Sequence, residues 1–140
     1  RMYRYIVMLF LACLLAVPTF GNGSEKPKNL FVIVTTDEPI TQLMSMVLAT
    51  QTMKKGATVN ILLCGEAGSL AVTTSEEILL KTTAKSPQML LKNLIQNGVN
   101  VELCPPYLPN REKNTSDLID GVSVAKPSMV AGLTIFFYVQ

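Results

Sequence analysis

Apolar runs and amphipathic stretches alternate from residue 29 to residue 139, and this alternation predicts strands and helices in turn. Two runs rich in β-branched side chains, 29–35 and 58–64, are typical of strands that are buried on both faces. Three further strands are predicted at 99–104, 122–124 and 133–139. The pattern therefore predicts five strands separated by helices or loops.

Cap signals bound the two long helices between these strands. The first has Thr36 or Asp37 as its predicted N-cap and Pro39 in its first turn, and the second begins at Ser86. Each ends before a glycine, which is favoured just beyond a helix C-terminus. Short helices are predicted at 76–80, 115–120 and 126–131. The segment 105–111 contains three prolines, and since proline lacks a backbone donor, a rigid loop is predicted there.

Strands that alternate with helices indicate parallel pairing through right-handed crossovers. The predicted fold class is α/β, with three layers, a mostly parallel sheet of about five strands and helices on both faces, as in flavodoxin-like folds. For the first three strands we assume the flavodoxin-like order 2-1-3. This order places the strand 29–35 between the other two.

The N-terminal segment 1–23 has the layout of a secretory signal peptide, with two arginines before an apolar run at 5–20. This run is shorter than the roughly 20 residues that cross a bilayer, although a retained anchor is the alternative. Lipid attachment at Cys13 is a third interpretation. A polar lead-in at 24–28 then precedes a single domain, 29–140. We expect an exported, periplasmic protein, in contact with a membrane only if the N-terminal segment stays attached.

Composition excludes several classes of function. The formal charge of +2 comes from Arg1 and Arg4, and the remaining chain is neutral and has no basic patch for binding nucleic acid. The absence of histidine excludes a Ser-His-Asp triad, a Cys-His dyad and histidine-containing zinc sites. No glycine-rich nucleotide motif follows a strand. We therefore expect no cofactor and no metal.

Two of the three cysteines, Cys64 and Cys104, end the second and third predicted strands. In an open parallel sheet this edge is where ligands bind. With the order 2-1-3, two strand spacings of about 4.8 Å separate them, beyond the limit of about 7 Å for a disulfide. Two free thiols, or one modified thiol, are predicted, and the functional hypothesis requires Cys104 to be unpaired and accessible.

Cys104 is the stronger candidate for function. It leads from a strand into the proline-rich loop that carries Tyr107 and Arg111, and a guanidinium nearby favours the reactive thiolate. Cys64 follows an aliphatic run, which is typical of a buried structural cysteine, and is a secondary candidate. A phosphatase loop fits poorly, because prolines stand where phosphate-binding N–H groups are needed.

The segments 29–35, 98–104 and 119–130, with the helix after Pro39, resemble the DsrE/DsrF-like (YchN-like) sulfur-relay family. The resemblance implies that Cys104 carries sulfur as a persulfide and that Arg111 matches the arginine of the family's C-x2-C-x3-R-G pattern. Tyr107 stands in place of its second cysteine, so the implied mechanism uses a single thiol. It also implies a homo-oligomer, a trimer or hexamer, and a sulfur donor or acceptor protein as partner.

Two hypotheses follow from these observations. In the first, the chain is a persulfide carrier or sulfurtransferase that acts through Cys104. In the second, it is a non-catalytic oligomeric binding or scaffold domain that uses the crevice at the strand ends. The fold alone does not separate them.

Overall fold

In the described part of the chain, five parallel strands form one sheet in the order β4-β3-β2-β1-β5. The computed structural model describes residues 29–132 and 136–139, with the backbone alone at 136–138. The strands are β1 (Asn29–Val34), β2 (Thr58–Leu63), β3 (Asn100–Leu103), β4 (Val122–Val124) and β5 (Phe136–Val139). The predicted signal peptide, the lead-in, Cys13 and residues 133–135 lie outside the described residues.

Within residues 29–132, four α-helices and two 3₁₀ helices connect the strands. The α-helices are α1 (Pro39–Lys54), α2 (Pro87–Gln96), α3 (Tyr107–Asn110) and α4 (Pro127–Val130). The 3₁₀ helices are Gly65–Ala71 and Thr115–Asp117. Among the described residues, no helix has the length and apolar character needed to span a bilayer.

The order of the strands determines which face each helix covers. The first three crossovers each step to the next strand in one direction, and right-handed crossovers of this kind lie on one face. That face carries α1, α2 and the main core, in which Met46, Leu91 and Leu94 are fully buried against the strands. The last crossover returns past the sheet to β5, so α4 lies on the opposite face. There Val130 packs against a smaller cluster.

The helix boundaries follow the cap signals in part. Ser86 caps α2 as predicted, because its hydroxyl accepts a hydrogen bond from the Met89 N–H at 3.0 Å. The predicted cap of α1 is wrong. Glu38 occupies that position, and its carboxylate accepts hydrogen bonds from the N–H groups of Ile40 (2.9 Å) and Thr41 (2.6 Å).

The predicted order 2-1-3 is also wrong, since β2 lies between β1 and β3. The mostly parallel sheet of about five strands with helices on both faces is confirmed, although the face of α4 has much less helical cover. No helix forms at 76–80, where Leu80 makes an isolated bridge to Lys85.

The proline-rich segment is more regular than predicted, since it contains the one-turn helix α3. Pro109 lies inside this helix. The first turn of any helix has N–H groups without intrahelical acceptors, so a proline there removes no hydrogen bond.

Candidate functional site

Cys64 and Cys104 each stand one residue beyond the carboxyl end of a strand, and their strands are neighbours. Leu63 and Leu103 form the last matched pair of the β2–β3 register, so the next residues on both strands are the two cysteines. The Cys104 N–H continues the ladder by donating to the Leu63 carbonyl at 2.9 Å. The Cα atoms of the cysteines are consequently 5.1 Å apart.

The two cysteines form a disulfide. The prediction of two free thiols is therefore wrong, and the cause is the strand order: with β2 beside β3, one spacing rather than two separates the residues. Both side chains are half-buried and pack against the cluster on the face of α4. The carrier hypothesis that required an unpaired Cys104 is therefore wrong in that form, and the site contains a disulfide.

A turn after Cys64 opens a crevice beside the disulfide. Gly65 has a φ of +54°, and a Cβ there would lie 3.3 Å from the Thr35 carbonyl oxygen, so glycine suits this turn. The chain then enters the 3₁₀ helix Gly65–Ala71, which is held by the Ala67 N–H donating to the Thr35 carbonyl at 3.3 Å. The crevice has a volume of about 290 Å³ and is open to solvent. Its lining comprises Cys64, Gly65, Glu66, Cys104, Pro106, Tyr107, Asn110 and Arg111.

The charged groups of the crevice are Arg111 and Glu66. Arg111 Nη2 donates to Glu66 Oε1 at 2.6 Å, with the two side chains 45% and 61% exposed. The guanidinium also lies over the ring of Tyr107, 5.6 Å from its centroid. The single turn of α3 explains this contact, because residues four apart lie on the same helix face.

Tyr107 forms one wall of the crevice. Its ring lies against Gly68, where an added Cβ would collide with ring carbons, so a side chain at residue 68 would displace the tyrosine. Burial raises the pKa of Tyr107; the positive charge of Arg111 opposes this effect and the negative charge of Glu66 adds to it. The phenol is therefore neutral at physiological pH and can act as a hydrogen-bond donor.

The structure brings together all four residues that the sequence singled out, Cys104, Arg111, Tyr107 and Cys64. Sequence reasoning missed two relationships, the bond between the cysteines and the pairing of Glu66 with Arg111. One signal was available, since strands that follow one another in sequence are neighbours in about two-thirds of cases. Applied to β2 and β3, this tendency places Cys64 beside Cys104.

Three larger cavities lie elsewhere in the described residues. One, of about 310 Å³, lies where α1 and α2 begin and includes Glu76, Glu77 and Gln88 in its lining. The second is an apolar groove of about 570 Å³ between α1 and strands β1 and β5. The third, of about 560 Å³, lies between α2 and residues 119–121. None of the three contains a nucleophilic thiol, so the crevice at the cysteines is the best candidate for chemistry.

The fold has counterparts among solved structures. The chain is similar to the YchN protein from E. coli, with a TM-score of 0.65 and 18% identity over 80% of this chain and 98% of that one. It is also similar to MTH1491 from Methanobacterium thermoautotrophicum, a protein of unknown function, with a TM-score of 0.61, 16% identity and the same coverage. No protein-family model and no curated protein sequence gives a significant match.

These similarities concern the fold. The chain has a YchN-like α/β fold, and the resemblance to the DsrE/DsrF-like family is confirmed at that level. Identities below a fifth do not extend the comparison to activity, so function is argued from the crevice itself.

Proposed function

We propose that the chain handles sulfane sulfur as a persulfide on Cys104, in the form where the disulfide to Cys64 is reduced. The observation that supports this proposal is the placement of Cys104, Cys64 and Arg111 around one open crevice at the carboxyl edge of a YchN-like sheet. The disulfide is the resting form, and a thiol reductant converts it to the reacting dithiol.

The reaction is a transfer of neutral sulfur between thiolates. The Cys104 thiolate attacks the outer sulfur of a donor persulfide, R–S–SH, forming a new S–S bond. The donor's S–S bond breaks, and its thiolate R–S⁻ leaves and takes up a proton. In the second half, the thiolate of an acceptor attacks the outer sulfur on Cys104 in the same way. No electrons are gained or lost overall.

The side chains around Cys104 favour its anionic forms. Arg111 brings a positive charge to the same crevice, and such a charge favours a thiolate or a persulfide anion over the neutral species. Its partner Glu66 reduces that effect, because the pair at 2.6 Å is locally neutral. A donor or acceptor that displaces Glu66 would leave Arg111 free to stabilise the anion.

The proposed cellular setting comes from the N-terminal segment. An exported, periplasmic chain meets an oxidising compartment, where disulfides persist. The Cys64–Cys104 bond is the form expected there, and the partner is a protein that supplies or accepts sulfur. Retention of the N-terminal segment would instead anchor the chain to the membrane.

A trapped variant tests the proposal directly. Cys64→Ser removes the disulfide partner of Cys104, so that Cys104 cannot close a bond within the site, and Cys13→Ser in every variant confines reaction to the site. After incubation with an alkyl persulfide, intact-mass analysis is expected to show a gain of one sulfur. The matched control, Cys64→Ser with Cys104→Ser, is expected to gain nothing. No gain in the trapped variant, or an equal gain in the control, removes the proposal.

An oligomeric binding or scaffold domain is the second candidate, and α1 favours it. Its outer face exposes Ile40 (66%), Met44 (54%) and Leu48 (59%) at successive helical turns, beside the apolar groove. Lys54 is the helix's only charged residue. A helix with a single charge at its end and exposed apolar turns is typical of a buried element. We propose that a second copy of the chain covers this face, in a trimer or hexamer.

A further inference from the structure

The Cys64–Cys104 bond shows which sulfur of a Cys104 persulfide the Cys64 thiol can reach. In the oxidised chain, Cys64 Sγ is bonded to Cys104 Sγ. A persulfide on Cys104 keeps that same atom as its inner sulfur and adds an outer sulfur beyond it. Cys64 therefore lies within reach of the inner sulfur without rearrangement of the strands, whose Cα atoms are 5.1 Å apart at this point.

We propose that Cys64 is a second catalytic residue, which releases the sulfur of the Cys104 persulfide as sulfide. This inference rests on the proposed function at Cys104. The Cys64 thiolate attacks the inner sulfur, forming the Cys64–Cys104 bond. The S–S bond of the persulfide breaks, and HS⁻ leaves with the electron pair. Sulfane sulfur is reduced to sulfide and two thiolates are oxidised to one disulfide, so the electrons balance.

The site suits this step for two reasons. The disulfide in the structure is its product, so the product geometry is one that the sheet accommodates. The crevice beside the cysteines is open to solvent, which gives a small anion a way out. A new cycle requires an external dithiol to reduce the disulfide by thiol–disulfide exchange. When no acceptor thiol is present, the chain releases the sulfur as sulfide and is a persulfide reductase. When an acceptor thiol takes the sulfur, the chain is a sulfur carrier.

A disulfide that only stabilises the fold makes a different prediction. Such a bond would re-form in air or with an oxidant, without any link to sulfur transfer. It would also leave a persulfide on Cys104 intact whenever one formed. The fate of the sulfur therefore separates the two roles.

The experiment compares two chains, both carrying Cys13→Ser. One is the otherwise unchanged chain, fully reduced and freed of reductant, and the other is its Cys64→Ser variant. Because neither contains the disulfide at the start, any loss of stability on reduction affects both alike. Each receives one equivalent of an alkyl persulfide under anaerobic conditions. Sulfide is measured colorimetrically, and the protein by intact mass.

The chain with both cysteines is expected to release one sulfide per chain and to end two hydrogens lighter, with no sulfur retained. The Cys64→Ser variant is expected to retain one sulfur and to release at least tenfold less sulfide. If the variant takes up sulfur and the chain with both cysteines also retains it, the role of Cys64 is overturned while the carrier function stands. If the variant gains the whole alkylthio group, the donor was attacked at its inner sulfur, and both proposals fail.

Discussion

At the scale of single residues, the crevice contains two opposite charges that share one contact. Arg111 is positioned by the turn of α3 and by the ring of Tyr107, whereas Glu66 comes from the 3₁₀ helix after β2. Both side chains are about half exposed, so their attraction contributes about 1 kcal/mol or less to stability. We expect the ion pair to act mainly by setting the net charge of the crevice.

Opposite effects are therefore predicted for two substitutions in the Cys13→Ser, Cys64→Ser background. Arg111→Gln removes the positive charge, so alkylation of Cys104 by iodoacetamide near neutral pH is expected to slow by severalfold. Glu66→Gln releases Arg111 from its partner, so alkylation is expected to become faster. Both changes should stay below about tenfold, because the charges are solvent-exposed.

The control for this pair is Glu112→Gln, which removes one negative charge close in sequence to Arg111 but outside the lining of the crevice. It is expected to leave the alkylation rate unchanged. A shift in the same direction for Arg111→Gln and Glu66→Gln would contradict the electrostatic explanation. If neither substitution changed the alkylation rate, Arg111 would have no electrostatic effect on the Cys104 thiolate.

At the scale of elements, the start of α1 depends on a carboxylate. Glu38 accepts two backbone hydrogen bonds there. The pKa of Glu38 is lowered by a hydrogen bond with the Thr41 side chain and by the N–H groups of Ile40 and Thr41, with a small opposing effect of burial. A lowered pKa means that folding favours the ionised form.

This cap predicts a stability difference that depends on pH. Because the pKa of Glu38 is lower in the folded chain, its contribution is fully present above the unfolded-state pKa of about 4.3 and is lost as the pH falls through the lowered pKa of the folded chain. Glu38→Gln is expected to lower the urea midpoint at pH 7 and to match the unsubstituted chain in acid. Asp37→Asn, the control, changes the same charge one residue earlier and should have no effect. A larger loss for Asp37→Asn would make Asp37 the true cap.

Local chemistry made some elements predictable from the sequence and left others open. Ser86 followed by proline fixes the start of α2, and β-branched runs identify β1 and β2, because each signal lies within the element itself. The order of the strands depends on contacts between segments far apart in the chain, and no residue pattern within β2 or β3 specifies its neighbour. The error in the order produced the error about Cys64 and Cys104.

At the scale of the whole molecule, the disulfide closes a large loop. Its cysteines are 40 residues apart, and a loop of that length corresponds to a stabilisation of about 4 kcal/mol by the chain-entropy relation. The loop includes α2 and the 3₁₀ helix Gly65–Ala71. These elements are also joined by Gln88, a buried side chain whose amide donates to the carbonyls of Leu70 and Val72 at 3.1 and 3.2 Å.

The exposed face of α1 predicts self-association of the whole molecule. Light scattering of residues 29–140 is expected to give the mass of a trimer or hexamer. Met44→Lys with Leu48→Lys is expected to give the monomer, because two like charges in such an interface lack partners and repel each other. The control, Met129→Lys, also places a charge at an exposed methionine but on α4, and should leave the mass unchanged. A monomer before substitution would contradict the proposal.

Main-chain hydrogen bonds, which do not involve the sulfur atoms, hold both cysteines in place. The Cys64 N–H donates to the Val34 carbonyl and the Cys104 N–H to the Leu63 carbonyl, each at 2.9 Å. Reactions between groups held in this way reach effective molarities of about 10⁵ M or more when well aligned. Small thiols dissolved around the protein are far more dilute. Adducts with them are therefore expected to be short-lived, and an oxidised chain closes on itself instead of cross-linking to its neighbours.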